Sequence, residues 1–247
     1  MSNKYNKNFI GKVAFRLDFS ENVAIGSLKD LHEEINDVFS IKEEKESVTG
    51  FVQLDFKSGE MRNETEKMAS WLFSNTEKNK RMEINSRFLY LEYDKYNEKT
   101  ELFDDIKNVV QKFISKYNIK TFNRIGLRFI NEIKLQESEQ LDWTKYIDKN
   151  LIANLIFVKD QNKKLARAMS ALVFKEEKGD INFNFGIWNS EYPNEVNRKE
   201  FVLDYDCFSN LGISDDEVLE RTEQFHSYIE KLFEASITEE FRGLLNK

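Results

Sequence analysis

The stretch FNRIGLRFINEI, residues 122–133, constrains the fold of this 247-residue chain more than any other part. With a period of two, its apolar positions fall on one side: Ile125, Leu127, Phe129 and Ile133. The opposite side carries Arg124, Gly126, Arg128 and Glu132. This alternation predicts a half-buried strand with one apolar and one charged face.

Composition indicates a protein with a full core. Hydrophobic residues make up 40% of the chain and 21 residues are Phe, so there is enough apolar area for one large domain or two smaller ones. The single cysteine, Cys207, has no internal disulfide partner. The chain begins without a signal-peptide pattern and contains no long apolar run. We therefore expect a cytoplasmic protein that does not enter a membrane.

Periodicity predicts an α+β fold of mainly antiparallel sheets covered by helices. Strands are expected at 13–19, 48–57, 69–73, 82–93, 165–176, 180–188 and 200–208. Residues 153–159 fit a strand, although their apolar run does not decide the period. Helices are expected at 27–39, 100–117, 142–150 and from Ser214, where S-D-D-E forms a capping box, with a further segment at 238–245. The run KEEKES, residues 42–47, is expected to be a solvated loop, and residues 61–67 fit either a helix or a loop.

The chain also shows a similarity between its halves. RFLYLEYDKY precedes a predicted helix in the first half, and EFVLDYDCF precedes one in the second. This similarity favours two related halves, residues 1–135 and 136–247, that arose by internal duplication. The alternative is that the two segments are alike only because many strands place an outward acid within an apolar sequence. The halves are expected either to form separate domains or to pack as one.

Several of these segments resemble a sporadically distributed, uncharacterised family of bacterial and archaeal proteins of about this length. The likeness covers nearly the whole chain and is most specific in R-x-G-L-R-[FY]-I-N, here Arg124–Asn131. A second signal combines His226, residues 232–234 and residues 237–239. The family has no established activity, and its patchy occurrence is typical of defence or toxin-antitoxin genes. The resemblance therefore implies kinship and supplies no mechanism.

The charged side of the 122–133 strand is the main candidate binding surface. Arg124 and Arg128 share a face, and Gly126 between them leaves room for a ligand such as a phosphate or carboxylate. Arg16, Asn131 and Glu132 complete the predicted binding set. The alternative is structural: the arginines form cross-strand ion pairs with outward acids such as Asp18, Asp55 or Glu92.

Alternating acids provide a second candidate site. Asp204 and Asp206 share one strand face, and Glu92 with Asp94 repeats the spacing. Such carboxylates can hold Mg²⁺ for phosphoryl chemistry, although acids on a solvated strand are common. Our first expectation is no metal and no cofactor.

No known catalytic motif is present. The two histidines, His32 and His226, and the lone Cys207 do not make a zinc site, and the thiol is expected to be buried. Residues 159–168, KDQNKKLARA, are basic, but no aromatic stacking platform accompanies them in the sequence.

The leading functional hypothesis is therefore a non-enzymatic binding protein, an accessory, sensor or neutralising component of a defence or toxin-antitoxin-like operon. Its partner would be a protein encoded nearby or a second copy of the chain. The alternative is a nucleic-acid or nucleotide-binding protein, including a Mg²⁺-dependent phosphodiesterase or nuclease. The net charge of -7 disfavours nucleic acid without excluding it.

Overall fold

A computed structural model describes residues 5–23, 29–54, 61–161 and 163–247 of the chain. Its ten strands are β1 (Ile10–Phe19), β2 (Ile41–Leu54), β3 (Met61–Ser74), β4 (Lys80–Ile84), β5 (Phe88–Tyr93), β6 (Thr121–Leu135), β7 (Ala168–Glu176), β8 (Gly179–Ile187), β9 (Lys199–Ser209) and β10 (Ile213–Ser214). The five helices are α1 (Lys29–Ile35), α2 (Lys99–Tyr117), α3 (Ala153–Asp160), α4 (Val218–Ser236) and α5 (Glu239–Leu245). The α+β class is confirmed.

One antiparallel sheet runs through the whole described chain. Its strand order is β2-β3-β4-β5-β1-β6-β9-β8-β7, and β10 pairs with one end of β6. The predicted strand at 122–133 lies at the centre, where β6 pairs with both β1 and β9. The two outer strands, β2 and β7, are the edges of the sheet.

The core lies on one face of this sheet. Alternate residues of the central strands are fully buried there, as in Phe15, Leu127, Tyr205 and Phe183. They belong to the same apolar cluster as the buried sides of α2 and α4. The residues between them point to the opposite face, which we call the open face, and most are half-buried or exposed.

Local sequence signals explain the ends of the two long helices. Asn118 ends α2 in the left-handed conformation, at φ 51°, which asparagine tolerates well. Ser214 and Glu217 form the predicted capping box before a single 3₁₀ turn that leads into α4. Thr238 caps α5 by accepting a hydrogen bond from the backbone N–H of Phe241.

Several sequence expectations are wrong. The run KEEKES is part of β2, where charged side chains suit an exposed edge, and residues 61–67 form the first part of β3. Residues 153–159 form α3 instead of a strand, and 142–150 form turns instead of a helix. The expected strand at 82–93 divides into β4 and β5, with a turn between them. Residues 55–57 of the expected second strand and 27–28 of the first helix lie outside the described residues.

The two halves of the chain have similar element orders. The order β1-α1-β2-β3-β4-β5-α2 is followed by β6-α3-β7-β8-β9-β10-α4-α5. Strand β5 pairs with β1 and β4, while β9 pairs with β6 and β8, and each precedes a 19-residue helix. The continuous sheet crosses the predicted boundary at residue 135, since β9 pairs with β6.

None of the helices formed by the described residues combines the length and apolar character needed to cross a bilayer.

Candidate functional site

Three arginines meet at the centre of the open face. The register places Arg16 of β1 directly opposite Gly126 of β6. Arg124 and Arg128 flank Gly126 along β6, and Phe208 of β9 lies across from it on the other side. We call Arg16, Arg124 and Arg128 the arginine cluster. Sheet pairing therefore brings three of the five predicted binding residues together.

Two arginines of the cluster, Arg128 and Arg16, have carboxylate partners on the open face. Arg128 donates two hydrogen bonds to Asp204, both 2.7 Å long. Arg16 pairs with Asp18 at 2.6 Å and lies 4.4 Å from the ring centre of Phe88. Arg128 therefore has a cross-strand carboxylate partner, but that partner is Asp204 and not Asp18 or Glu92. Asp18 pairs with Arg16 on its own strand, and Asp55 lies outside the described residues.

Arg124 differs from its two neighbours. Its guanidinium lies 5.3 Å from the ring centre of Phe208. Among the described residues, no carboxylate lies within ion-pair distance of Arg124. Burial raises the pKa of Asp206, while the charges of Arg124 and Arg128 act to lower it. The nearby carboxylates therefore offset much of the positive charge of the cluster.

The other predicted acids belong to a separate network. Arg81 lies 2.7 Å from Asp94 and also pairs with Glu92, and Lys12 pairs with Glu92 at 3.1 Å. Burial alone would raise the pKa of Glu92, but hydrogen bonds from Arg81, Tyr90 and Lys12 lower it to about 2. The described residues include no group of three or more His, Cys, Asp or Glu side chains placed to hold a metal ion.

No protein-family model matches the chain, and no curated protein matches it significantly.

Asn131 and Glu132 lie on opposite faces of β6. Asn131 is buried on the helix side, where its amide donates to the carbonyl oxygen of Leu203 at 3.4 Å. Glu132 is exposed on the open face, where Lys134 pairs with it at 3.0 Å. Asn131 therefore does not join the arginine cluster.

A groove of about 670 Å³ lies beside the cluster on the open face. Its floor crosses β6, β9, β8 and β7, and Arg128 stands at its inner end. Its lining combines apolar side chains with charged and polar ones: Ile130, Met169, Ala171, Trp188 and Val202 with Arg128, Glu132, Lys134, Asn184, Ser190, Glu200 and Asp204. The groove extends outward to the edge strand β7.

The edge strand β7 is unusually apolar. Its sequence AMSALVFKE holds one lysine and one glutamate, both at its end. Leu172 is 43% exposed and Val173 is 62% exposed, on opposite faces of the strand. Asn154 of α3 donates to Ser170 of β7 at 3.5 Å, and Ile156 and Phe157 of the same helix are exposed. An edge strand also carries backbone N–H and C=O groups that no neighbouring strand satisfies.

The basic segment at 159–168 does have aromatic neighbours. The guanidinium of Arg167 lies 4.1 Å from the ring centre of Trp188 and 4.0 Å from that of Tyr192. These rings come from a loop about twenty residues later, so the expectation of no aromatic platform is wrong. Of these three residues, Trp188 also lines the groove.

The sequence alone missed the groove and the apolar edge. Both depend on the strand order of the sheet. Strand β7 is an edge because it comes last in the order β6-β9-β8-β7. The available signal was the run SALVF, whose apolar residues occupy both faces of a short strand.

Proposed function

We propose that this chain is a non-enzymatic binding protein that takes up an extended segment of a protein partner along β7. The partner segment adds a strand to the sheet, and its alternate side chains enter the groove on the open face. This mode of recognition uses backbone hydrogen bonds for affinity and side-chain pockets for specificity. The observation that carries the proposal is the combination of an apolar edge strand and an adjoining groove.

The geometry favours a partner segment over a second copy of the chain. Antiparallel pairing of two β7 strands would place Met169, Ala171 and Val173 on the open face of the new junction. Met169 and Ala171 already line the groove of their own copy, so a second β7 brings no large side chain to fill it. A segment with large apolar residues at alternate positions would fill it.

A peptide selection tests the proposal. A random-peptide phage library is selected on the wild-type protein, with the Val173→Lys variant present as soluble competitor. We expect peptides with apolar residues at alternate positions, whose affinity falls about tenfold or more for Val173→Lys. Glu43→Lys on the exposed part of β2 is the matched control and should leave affinity unchanged.

Three outcomes would overturn the proposal. One is failure to enrich any peptide that distinguishes wild type from Val173→Lys. Another is enrichment of peptides that bind both variants equally. The third is a hydrodynamic mass of two chains that Val173→Lys reduces to one, which would establish self-association instead.

The family resemblance adds a proposed setting, an accessory, sensor or neutralising role in a defence-like operon. The similar element orders of the two halves support a proposed internal duplication. The genes that neighbour this one would test the proposed setting. A relative that contains only one of the two halves would support the proposed duplication.

A second candidate function is nucleic-acid or nucleotide binding by the arginine cluster. The observation that favours it is the placement of Arg16 and Arg124 beside Phe88 and Phe208, since guanidinium and aromatic groups together suit bases and phosphates. Titration of a fluorescent single-stranded oligonucleotide at increasing salt tests it. A steep loss of affinity that disappears in Arg124→Gln would support it, and no binding at low salt would exclude it.

A further inference from the structure

A second cavity lies on the helix side of the sheet, away from the proposed docking groove. It has a volume of about 600 Å³ and lies between α2, α4, β6 and the segment at residues 5–10. Strand β6 contributes to both sites, because Arg128 and Ile130 line the groove while Phe129 and Asn131 line this cavity. Cavities of this size hold small organic ligands.

The walls of the cavity are largely aromatic. Tyr96 meets Phe129 edge-on with ring centres 5.4 Å apart, and Phe9 stacks on Phe241 at 5.6 Å. Phe103 also lines the cavity. A flat apolar ligand can therefore contact ring faces and ring edges on several sides.

Asn131 places an amide on the apolar side of the central strand. Its neighbours on that side, Phe129 and Ile133, are buried hydrophobic residues, and Asn131 itself is only 6% exposed. The side-chain Nδ2 donates to the carbonyl oxygen of Leu203 at 3.4 Å, which is long for a hydrogen bond. The Oδ1 atom accepts no hydrogen bond from any described residue. A buried acceptor without a donor lowers stability, so packing alone does not account for an amide at this position.

The free oxygen of Asn131 opens into the cavity. His226 also lines the cavity, but its unpaired Nδ1 is closed off from solvent. Oδ1 of Asn131 is unpaired without being closed off in this way, so it keeps accessible surface. Because Asn131 is almost completely buried and lines the cavity, that surface faces the cavity. A ligand bound among the aromatic rings can therefore donate a hydrogen bond to this oxygen.

Charge limits which ligands can enter. Five carboxylates and two lysines belong to the lining: Glu98, Asp104, Glu223, Glu230, Glu234, Lys7 and Lys99. This excess of negative charge disfavours an anion. The acceptor on β6 is a neutral amide, so a charged ring placed against it would lose its hydration without gaining an opposite charge. Burial raises the pKa of Tyr96 to about 12, so its hydroxyl is also neutral at pH 7.

We propose that this cavity binds a small, uncharged, flat heteroaromatic molecule that carries a ring N–H. The ring lies among the aromatic side chains, and its N–H donates to Oδ1 of Asn131. The site is independent of the docking groove, since the two lie on opposite faces of the sheet.

Calorimetric titration with matched indole probes tests the ligand class. Indole and 1-methylindole differ in the ring N–H, and we expect 1-methylindole to bind about fivefold more weakly. Methyl indole-3-acetate and indole-3-acetate differ in charge, and we expect the anion to bind about tenfold more weakly or worse.

Two asparagine variants then assign the contact. Asn131→Leu keeps the size of the side chain but removes the acceptor, so it should bind indole and 1-methylindole equally. Its Tm without ligand should be no lower than that of the wild type, because an unused buried acceptor is gone. Asn123→Leu is the matched control: Asn123 lies on the same strand, is exposed, and donates to the carbonyl oxygen of Phe19 at 3.4 Å. This control should keep the wild-type preference for indole.

Failure of indole to bind saturably, or equal binding of indole and 1-methylindole to the wild type, would overturn the proposal. Persistence of the preference for indole in a folded Asn131→Leu variant would also overturn it. If that variant does not fold, the NMR signals of the side-chain amides decide: indole should shift the signal of Asn131 and leave that of Asn123 unchanged, and the reverse contradicts the proposal. Val173→Lys should not change indole affinity, so failure at one site is distinguishable from failure at the other.

Discussion

The two edges of the sheet differ in how they meet solvent. Strand β2 begins with IKEEKES, and Glu43, Glu44 and Lys45 are exposed along it. Strand β7 carries apolar residues in the same situation, with Leu172 and Val173 exposed. Charged residues on an edge oppose the addition of another strand, whereas an apolar edge permits it. The first part of β2 is therefore protected by charge, whereas β7 is available for binding.

The same contrast extends to the ion pairs on the open face. In the half that ends at β2, Glu92 is shared by Arg81, Lys12 and Tyr90. In the half that ends at β7, Asp204 depends mainly on Arg128, beside the groove. We therefore expect the two halves to respond differently to the loss of one arginine.

The largest expected effect comes from Arg128→Leu. This change leaves the buried carboxylate of Asp204 without its two strong donors, so the free energy of unfolding should fall by about 2 to 3 kcal/mol. Arg81→Leu should cost about 1 kcal/mol or less, because Lys12 and Tyr90 remain on Glu92. Chemical denaturation of the two variants measures both values. Equal losses of unfolding free energy in the two variants would contradict the expected difference between the two halves.

A steric substitution tests whether side chains of the partner enter the groove, as distinct from pairing of its backbone with β7. Ala171→Trp fills part of the groove without adding charge, so a peptide selected on β7 should bind about fivefold more weakly. Glu83→Trp makes a similar change on the open face of β4 and should have no effect. Fluorescence anisotropy with the labelled peptide measures both. An unchanged affinity for Ala171→Trp would mean that partner side chains do not enter the groove.

The network around Glu92 predicts a pH dependence in the protected half. The folded pKa of about 2 lies below the ordinary value of 4.5, so the interaction stabilises the fold above pH 4.5. That contribution is lost as the pH falls from 4.5 towards 2. The difference in unfolding free energy between wild type and Glu92→Gln should be largest near pH 7 and should shrink across this window. A difference independent of pH would contradict the charged network.

The smallest effect is expected at Asp206, and it has the opposite sign. Burial raises its folded pKa despite Arg124 and Arg128, so ionisation destabilises the fold as the pH rises through and above the ordinary value of 3.8. Asp206→Asn should therefore raise the Tm slightly at pH 7 and leave it unchanged near pH 3. A lower Tm at pH 7 would show that the arginines need this charge.

Short-range patterns predicted the parts of the fold that depend on local chemistry. Alternation located β6, β8 and β9, and helical periodicity with the Ser214 capping box located α2 and α4. The charged first part of β2, residues 41–47, was missed because an edge strand needs no buried polar-apolar alternation. The short run ANLIFVK of α3 fits either period, and sequence alone did not decide it.

The site was only partly predictable for a related reason. Alternation correctly placed Arg124 and Arg128 together, and it also puts Asn131 on the apolar side, which the grouping with the arginines overlooked. The Arg128–Asp204 contact joins residues 76 positions apart and depends on the β6–β9 register. The groove and the free edge require the complete strand order, which no local pattern contains.

Hydrogen exchange of the two edge strands tests the docking claim most directly. The backbone amides of β2 and β7 are followed by mass spectrometry with and without a peptide selected against the Val173→Lys competitor. The account predicts slower exchange in β7 on binding and no change in β2. Protection confined to β1 and β6 beneath the arginine cluster, or equal protection of both edges, would contradict it.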